Sequence, residues 1–206
     1  MQRFTTFYIV RHGETTWNVE GLLQGHGDSP LTPEGELQAL GLSKKFADVH
    51  FDHVFSSDLM RAKRTAELIS IEKKLAVNTT HLLRERSFGK YEGRPREQFL
   101  TENKELIEQF EKLSEQEQLK FKYADDMESN EEAVTRFLRF LREAAVTYEG
   151  KTLLLVSHGG MMRVLLRHLG IKVITGKGTI ANGAHIKLES DGIEFKIREM
   201  HGIKRE

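Results

Sequence analysis

The chain has 206 residues and carries 31 basic and 31 acidic side chains, nine histidines and no cysteine. Balanced charge excludes a chain-wide basic surface for nucleic acid, and the lack of cysteine excludes disulfides, thiol chemistry and thiolate metal sites. The length suits one domain with a modest insertion, and we expect a single domain over residues 1–206.

The N-terminal residues bear on the compartment. They lack the apolar core and the small-residue cleavage site of a signal peptide, and no run of about 18 apolar residues occurs in the sequence. We therefore expect a cytoplasmic protein whose partners include neither a membrane nor a nucleic acid.

Three short apolar runs predict buried β-strands, and each is followed by a helical pattern. The runs are FYIV at 7–10, HVFSS at 53–57 and TLLLVSH at 152–158. Thr32 and Pro33 predict the start of the first helix, Ser57 is the predicted cap of the second, and Gly170 predicts the end of the third. Alternating strands and helices predict an α/β fold whose mostly parallel sheet is covered on both faces.

The middle of the chain differs from its flanks in composition. It is charged and rich in glutamate and lysine, and its apolar side chains recur at helical spacing, namely Leu106, Ile107, Phe110 and Leu113. We interpret residues 94–128 approximately as a helical insertion or lid, formed by one or two helices that lie over the sheet.

Two local patterns complete the predicted elements. Ser129 and Glu132 form a capping box before an apolar stripe of Val134, Phe137, Leu138 and Leu141, which predicts a core-facing helix. The C-terminal region alternates polar and apolar residues on both sides of Asp191 and Gly192, which predicts a β-hairpin at the edge of the sheet.

The polar residues that follow the three strands are the candidates for a functional site. In an open α/β sheet, ligands bind beyond the carboxyl ends of the strands, where helix N-termini favour anions. The first strand ends in Arg11 and His12, the helix after the second strand carries Arg61, and the third strand ends in His158. Because a helical side chain leans toward the N-terminus of its helix, Arg61 is expected to point back at the strand ends. Two arginines, two histidines and glycine amides together predict a site for a phosphoryl group.

Less specific interpretations exist for the same residues. Two histidines are also typical of a metal site, but no carboxylate stands at ligand spacing beside either one and the arginines would repel a cation, so we expect no metal. His158, placed after an apolar strand, is equally typical of a hydrogen-bonded core histidine, and Arg11 and His12 of a solvated surface pair.

Five motifs follow one another from Phe7 to about Gly170. They are RHGETTWN, GHGDSPLTPEG, SSDLMRAKRTA, RERSFGKYEG and SHGG. In order and approximate spacing the set resembles the histidine phosphatase superfamily, the phosphoglycerate mutase-like proteins. The resemblance implies a three-layer α/β/α sandwich and phosphoryl transfer through a phosphohistidine, with no metal and no other cofactor.

The resemblance also implies roles for individual residues. His12 matches the nucleophile and Glu85 the proton donor, although from the residues alone the nearby Glu92 is a rival acid. Arg11, Arg61 and a protonated His158 are expected to hold the phosphoryl oxygens. Further positions that match the lining of the phosphate pocket are Asn18, Gln24, Gly25 and Gly159.

Three functions are compatible with this pattern. They are a phosphatase acting on a small-molecule phosphate monoester, a phosphoglycerate mutase, and a non-catalytic protein that binds phosphate or a phosphoprotein. A mutase must shield its phosphohistidine from water, whereas the segment between Glu85 and His158 is short and very polar, and FGKYEG resembles the phosphatase branch. We therefore predict net hydrolysis, with the substrate and a homodimeric assembly left open.

Overall fold

A six-stranded β-sheet forms the centre of the computed structural model, which describes residues 4–174 and 178–205. The strands are β1 (Thr5–Arg11), β2 (His53–Ser57), β3 (Val77–Thr80), β4 (Thr152–Ser157), β5 (Ile180–Ser190) and β6 (Phe195–Ile203). Their order across the sheet is β3-β2-β4-β1-β5-β6. The first four strands run parallel, and β5 and β6 form an antiparallel hairpin beside β1. This arrangement confirms the predicted α/β fold with a mostly parallel sheet.

Eight α-helices are present in the described residues. They are α1 (Thr16–Glu20), α2 (Pro33–Lys45), α3 (Met60–Ser70), α4 (Arg96–Glu102), α5 (Lys104–Lys112), α6 (Glu115–Lys120), α7 (Asn130–Thr147) and α8 (Gly159–His168). Over the described ranges, none of these helices has the length and apolar character that a membrane span needs.

The sheet separates two hydrophobic cores because neighbouring side chains on a strand point to opposite faces. On one face, Leu153 and Leu155 of β4 pack in the core that α7 and α8 cover. On the other face, Leu154 and Val156 of the same strand pack in the core that α2 and α3 cover. The predicted three layers, α/β/α, follow directly from this alternation.

Most predicted helix boundaries are confirmed, with one exception. The Thr32 side chain accepts from the Gly35 amide at 3.0 Å, and Ser129 forms its capping box at the start of α7. Ser57 was predicted to cap α3, but the N-cap is Leu59, which has no capping side chain. Ser57 instead accepts the Leu59 amide at 3.3 Å, because β2 ends at Ser57 and two residues, Asp58 and Leu59, separate it from the first residue of α3.

The insertion contains more helices than predicted and is less buried than the rest of the chain. Three short helices, α4, α5 and α6, replace the one or two that were expected. None of the residues of α5 or α6 is fully buried. A small separate core of Tyr91, Phe99 and Met127 lies at the base of this segment.

Strand β3 was not predicted from the sequence. Its four residues, VNTT, are partly exposed, and they lie at the edge of the sheet, parallel to β2. The run is too short and too polar for the alternation of a half-buried strand to appear in it.

Candidate active site

The carboxyl ends of β1 and β4 place two histidines side by side. Arg11 is in register with Ser157, and the His12 amide continues the pairing by donating to the Ser157 carbonyl at 3.0 Å. The chain leaves the sheet at the next residue of each strand, so the His12 and His158 rings lie 5.1 Å apart, centroid to centroid. Both side chains are almost fully buried, at 3% and 0% exposure.

The tautomer of His12 follows from one hydrogen bond. Its Nδ1 atom lies 2.7 Å from the Gly13 carbonyl oxygen, and a carbonyl can only accept, so Nδ1 carries the proton. Burial, Arg61 and Arg11 hold the pKa of His12 well below its usual value. The ring is therefore neutral, and its Nε2 atom presents a lone pair.

His158 has a different environment from His12. Neither of its ring nitrogens has a hydrogen-bond partner among the described residues. Burial, followed by the charge of Arg61, lowers the pKa of His158 well below its usual value. The sequence interpretation expected a protonated His158, and these surroundings instead favour the neutral ring. A phosphate dianion beside the ring would raise the pKa, because a nearby negative charge stabilises the cation.

Arg61 is held by the loop that follows the first strand, as its helical position predicts. Its Nη2 atom donates to the Gly25 carbonyl and its Nη1 atom to the Gly27 carbonyl, each at 2.7 Å, and Nη1 also contacts Asp28 at 3.0 Å. The side chain is 1% exposed, and its Nε atom has no partner among the described residues. The guanidinium is thus fixed in position while one buried donor is left for a ligand.

Arg11 is held by the backbone that begins β5. Its Nη1 atom donates to the Ile180 carbonyl, while its buried Nε atom has no partner among the residues described. Burial lowers the pKa of Arg11 to about 10, so the group remains a cation near neutral pH. A Cβ atom at position 159 would lie 3.1 Å from Arg11 Nε, so Gly159 gives this guanidinium its space.

Glu85 reaches the same site from the loop before the insertion. Its two carboxylate oxygens accept the Arg86 amide and the Gly160 amide, both at 2.8 Å. A Cβ atom at position 160 would lie only 2.3 Å from Glu85 Oε1. The second glycine of SHGG therefore permits the close approach of the carboxylate to the first turn of α8.

The surroundings of Glu92, the rival acid, indicate a structural role. Its carboxylate accepts three backbone amides, from His26, Gly27 and Phe88, at 2.5 to 2.9 Å. Burial alone would raise the pKa of Glu92, but these hydrogen bonds outweigh burial and lower it. Through these bonds Glu92 joins the 25–28 loop to the 86–89 loop, whereas Glu85 accepts from the first turn of α8, directly after His158.

The remaining predicted pocket residues are Asn18, Gln24 and Gly25, and they lie in one hydrogen-bonded layer. Gln24 accepts the Thr15 hydroxyl at 2.9 Å, and the Asn18 amide lies 3.4 Å from Gln24 Oε1. Gly25 supplies a carbonyl to Arg61 and has no room for a side chain, because a Cβ there would lie 2.3 Å from Glu92 Oε1.

One member of this layer was missed by sequence reasoning. Asn182, in β5, donates to the His12 carbonyl at 3.2 Å and to Asn18 Oδ1 at 3.0 Å. It occurs 170 residues after His12, just before the predicted C-terminal hairpin, in a segment for which the sequence predicted no element. No local signal identifies it, because its role depends on β5 pairing with β1.

Metal ligands do not cluster in the part of the chain that the structure describes. No group of three or more histidine, cysteine, aspartate or glutamate side chains there has the geometry to hold an ion. The positive charge of the site comes from the guanidinium groups.

Comparison with known proteins assigns the family. The model of the histidine phosphatase superfamily (branch 1) matches residues 7–201. The chain belongs to the histidine phosphatase superfamily.

Relatives within the superfamily have different activities in their names. A broad-specificity phosphatase of Saccharomyces cerevisiae is 35% identical over 94% of this chain and 84% of its own length. A probable phosphoglycerate mutase of Salmonella arizonae is 36% identical over 74% of this chain and 68% of its own length. Among solved structures, Bacillus stearothermophilus YhfR superposes with a TM-score of 0.80 at 28% identity, covering 97% of each chain.

Proposed function

We propose that this histidine phosphatase superfamily member hydrolyses small phosphate monoesters without a metal, through a phosphohistidine on His12. The observation that carries the proposal is the tautomer of His12. Its Nδ1–H is held by the Gly13 carbonyl, so a neutral Nε2 lone pair is available beside the Arg11 and Arg61 guanidinium groups. A neutral nucleophile next to fixed cations suits attack on a phosphoryl group.

In the first step, His12 Nε2 forms a bond to phosphorus while the bond from phosphorus to the ester oxygen breaks. Glu85, in its protonated form, donates its proton to that oxygen, and the alcohol leaves. The ring becomes positive as it takes up the phosphoryl group, and the Gly13 carbonyl stabilises the Nδ1–H of that cation. The unpartnered Nε donors of Arg11 and Arg61 contact the phosphoryl oxygens.

In the second step, water attacks phosphorus and the bond from phosphorus to nitrogen breaks. Glu85, now ionised, accepts the proton of the water, and the electron pair of the broken bond returns to His12 Nε2. Inorganic phosphate leaves, and both residues have returned to their starting protonation states. The amides of Arg86 and Gly160 keep the carboxylate in place through both steps.

Arginines supply the positive charge that a magnesium ion supplies in many phosphoryl-transfer enzymes. We expect dialysis against EDTA to leave the hydrolysis rate unchanged. Loss of activity that an added divalent ion restores would contradict the metal-independent mechanism.

A direct experiment tests the covalent step. Turnover of a ³²P-labelled monoester, quenched in alkali where phosphohistidine survives, should leave one label per chain on the peptide that contains His12. The label should be released by acid. A chain that turns over substrate and never carries label would exclude the proposed intermediate.

Mutase activity is the second candidate, because one relative is named a probable phosphoglycerate mutase. The half-exposed insertion favours hydrolysis, since it contains no fully buried residue in α5 or α6 that would seal the site from water. With 3-phosphoglycerate and its bisphosphorylated primer, we expect release of inorganic phosphate to exceed formation of 2-phosphoglycerate. The reverse ratio would assign the chain to the mutases.

A further inference from the structure

The side chains of two arginines beside the phosphate pocket have no role in the proposed reaction. Arg163 lies on α8, one turn after Gly159, and Arg86 follows Glu85 in the loop before the insertion. Among the ion pairs of the described residues, Arg61, Arg84 and Arg136 each have a carboxylate partner, while Arg86 and Arg163 have none. Their visible side-chain partners are neutral, namely Asn130 Oδ1 at 2.8 Å and Thr179 Oγ1 at 2.9 Å.

Two observations place Arg163 next to the phosphate pocket, a hydrogen bond and its position on α8. It donates to Thr179, the residue before Ile180, whose carbonyl holds Arg11. On α8, it is three residues after Gly160, whose amide holds the Glu85 carboxylate, and a helical side chain leans toward the preceding turn. The guanidinium is therefore near Glu85, on the side of the pocket where the leaving group of the substrate departs.

Arg163 is partly exposed and also has a donor without a partner. Its Nε atom is buried and has no hydrogen-bond partner among the described residues. A buried donor without a partner is costly, and cationic donors most of all. Burial lowers the pKa of Arg163, Glu85 opposes that effect, and Arg96, Arg86 and Arg167 add to it. Several cations thus share a region in which Glu85 is the main compensating charge.

We propose that Arg163, assisted by Arg86, forms a second anion subsite that selects substrates with an acidic group, carboxylate or phosphate, a few bonds from the transferred phosphoryl group. This inference rests on the proposed phosphatase function and deepens it. One turn of helix separates Gly159 at the phosphate pocket from Arg163, a rise of about 6 Å. That distance fits a three-carbon phosphate ester whose far carbon carries the second acidic group. Arg11 and Arg61 would hold the phosphoryl group, and Arg163 would hold the other end.

Three substrates that differ only at the far carbon test the subsite. They are glycerol 3-phosphate, with a hydroxymethyl group, 3-phosphoglycerate, with a carboxylate, and glycerol 1,3-bisphosphate, with a second phosphate. For the wild-type chain we expect a kcat/KM at least about tenfold higher for one or both of the acidic substrates, since an ionic hydrogen bond contributes about that much. The two acidic substrates distinguish a carboxylate subsite from a phosphate subsite. No preference for either would overturn the proposal, and no turnover of any of the three would instead count against the proposed function.

The variant Arg163→Gln should reduce that preference to near unity, mainly through KM, and Arg163→Lys should restore part of it. The matched control is Arg142→Gln, on α7, where the side chain is exposed and is not among the charges that shift the pKa of Arg163. We expect the control to keep the wild-type preference. If Arg163→Gln lowers kcat/KM for all three substrates by the same factor, Arg163 only positions the Thr179–Ile180 backbone and the subsite is excluded.

A binding measurement separates the subsite from any effect on the chemical step. Calorimetric titration with 3-phosphonopropionate, which cannot be hydrolysed, should give a lower Kd than ethylphosphonate for the wild-type chain. The two ligands should bind Arg163→Gln with similar Kd values. Equal Kd values for the two ligands on the wild-type chain would contradict the subsite.

Discussion

The strand ends and the insertion are built very differently. His12, His158 and Arg61 are 3% exposed or less, and their backbones lie directly after paired strands or in the first turn of a helix. The helices α5 and α6 of the insertion contain no fully buried residue. The residues proposed to hold the phosphoryl group are thus buried and fixed, while the insertion is thinly packed.

This contrast separates two tasks. Phosphoryl chemistry needs donors that are fixed before the substrate arrives, which only a buried scaffold provides. Recognition of the leaving group can differ between related proteins, because exposed helices tolerate sequence changes at low cost to stability. The predictions below test whether the two regions are as independent as their packing suggests.

The largest effect is expected at the centre of the strand-end region. His12→Ala removes the nucleophile and should lower kcat by about 10⁴-fold or more, because no other group provides a lone pair at the phosphoryl position. The fall in kcat is measured by steady-state hydrolysis of p-nitrophenyl phosphate. Circular dichroism shows whether the variant retains the fold. Turnover near the wild-type rate would contradict the phosphohistidine mechanism.

Substitution of the two candidate acids, Glu85 and Glu92, should have clearly different effects. Glu85→Gln should lower kcat by about 10² to 10⁴-fold, because the leaving oxygen loses its proton donor. Glu92→Gln leaves three backbone amides with a weaker acceptor, so we expect it chiefly to lower Tm. The acid assignment would be wrong if Glu92→Gln abolished turnover with an unchanged Tm while Glu85→Gln remained active.

Substitution of two glycines compares crowded and open positions. Gly160→Ala places a Cβ 2.3 Å from Glu85 Oε1, so the carboxylate must move and kcat should fall by about 10². Gly41→Ala, within α2, meets nothing within 4 Å and should raise the free energy of unfolding by up to about 1 kcal/mol. Rate assays measure kcat for Gly160→Ala, and urea denaturation measures the free energy of unfolding for Gly41→Ala. An active Gly160→Ala variant would show that Glu85 does not need its present position.

Truncation of an apolar side chain should destabilise the protein more in the core than in the insertion. Leu141 on α7 is fully buried, and Leu141→Ala should lower the free energy of unfolding by about 2 to 5 kcal/mol. Ile107 on α5 is only partly buried, so Ile107→Ala should cost about 1 kcal/mol or less. Equal losses in urea denaturation would mean that the insertion is an integral part of the core.

The last prediction concerns a buried histidine outside the site. Burial, then Lys45 and His201, lowers the pKa of His185 to about 4, from about 6.5 in the unfolded chain. Because the folded state resists protonation, the stability contributed by neutral His185 is present above pH 6.5 and is lost as the pH falls toward 4. The loss is on the order of 2 to 3 kcal/mol, and His185→Phe should remove that portion of the pH dependence. A variant with the wild-type pH dependence would show that other groups are responsible.

The sequence determined the layers and the centre of the site because both depend on local patterns. The strands at 53–57 and 152–157 and the terminal hairpin follow from runs and alternation of apolar residues that are visible in a short window. Parallel strands end at a common edge, so residues placed just after them had to meet, and the structure does bring Arg11, His12, Arg61 and His158 together. The edge strand β3 and the third helix of the insertion escaped prediction because neither has a distinctive pattern.

Other features depended on contacts between distant parts of the chain. Glu85 could not be distinguished from Glu92 by residue type, and the distinction came from their places: Glu85 accepts from the first turn of α8, and Glu92 joins two loops. The lowered pKa of His158 comes from burial and from Arg61, and the placement of Asn182 from the pairing of β5 with β1. Hydrogen bonds between residues more than 70 positions apart leave no periodic trace in the sequence, so only the assembled sheet and its loops decide which polar groups share a site.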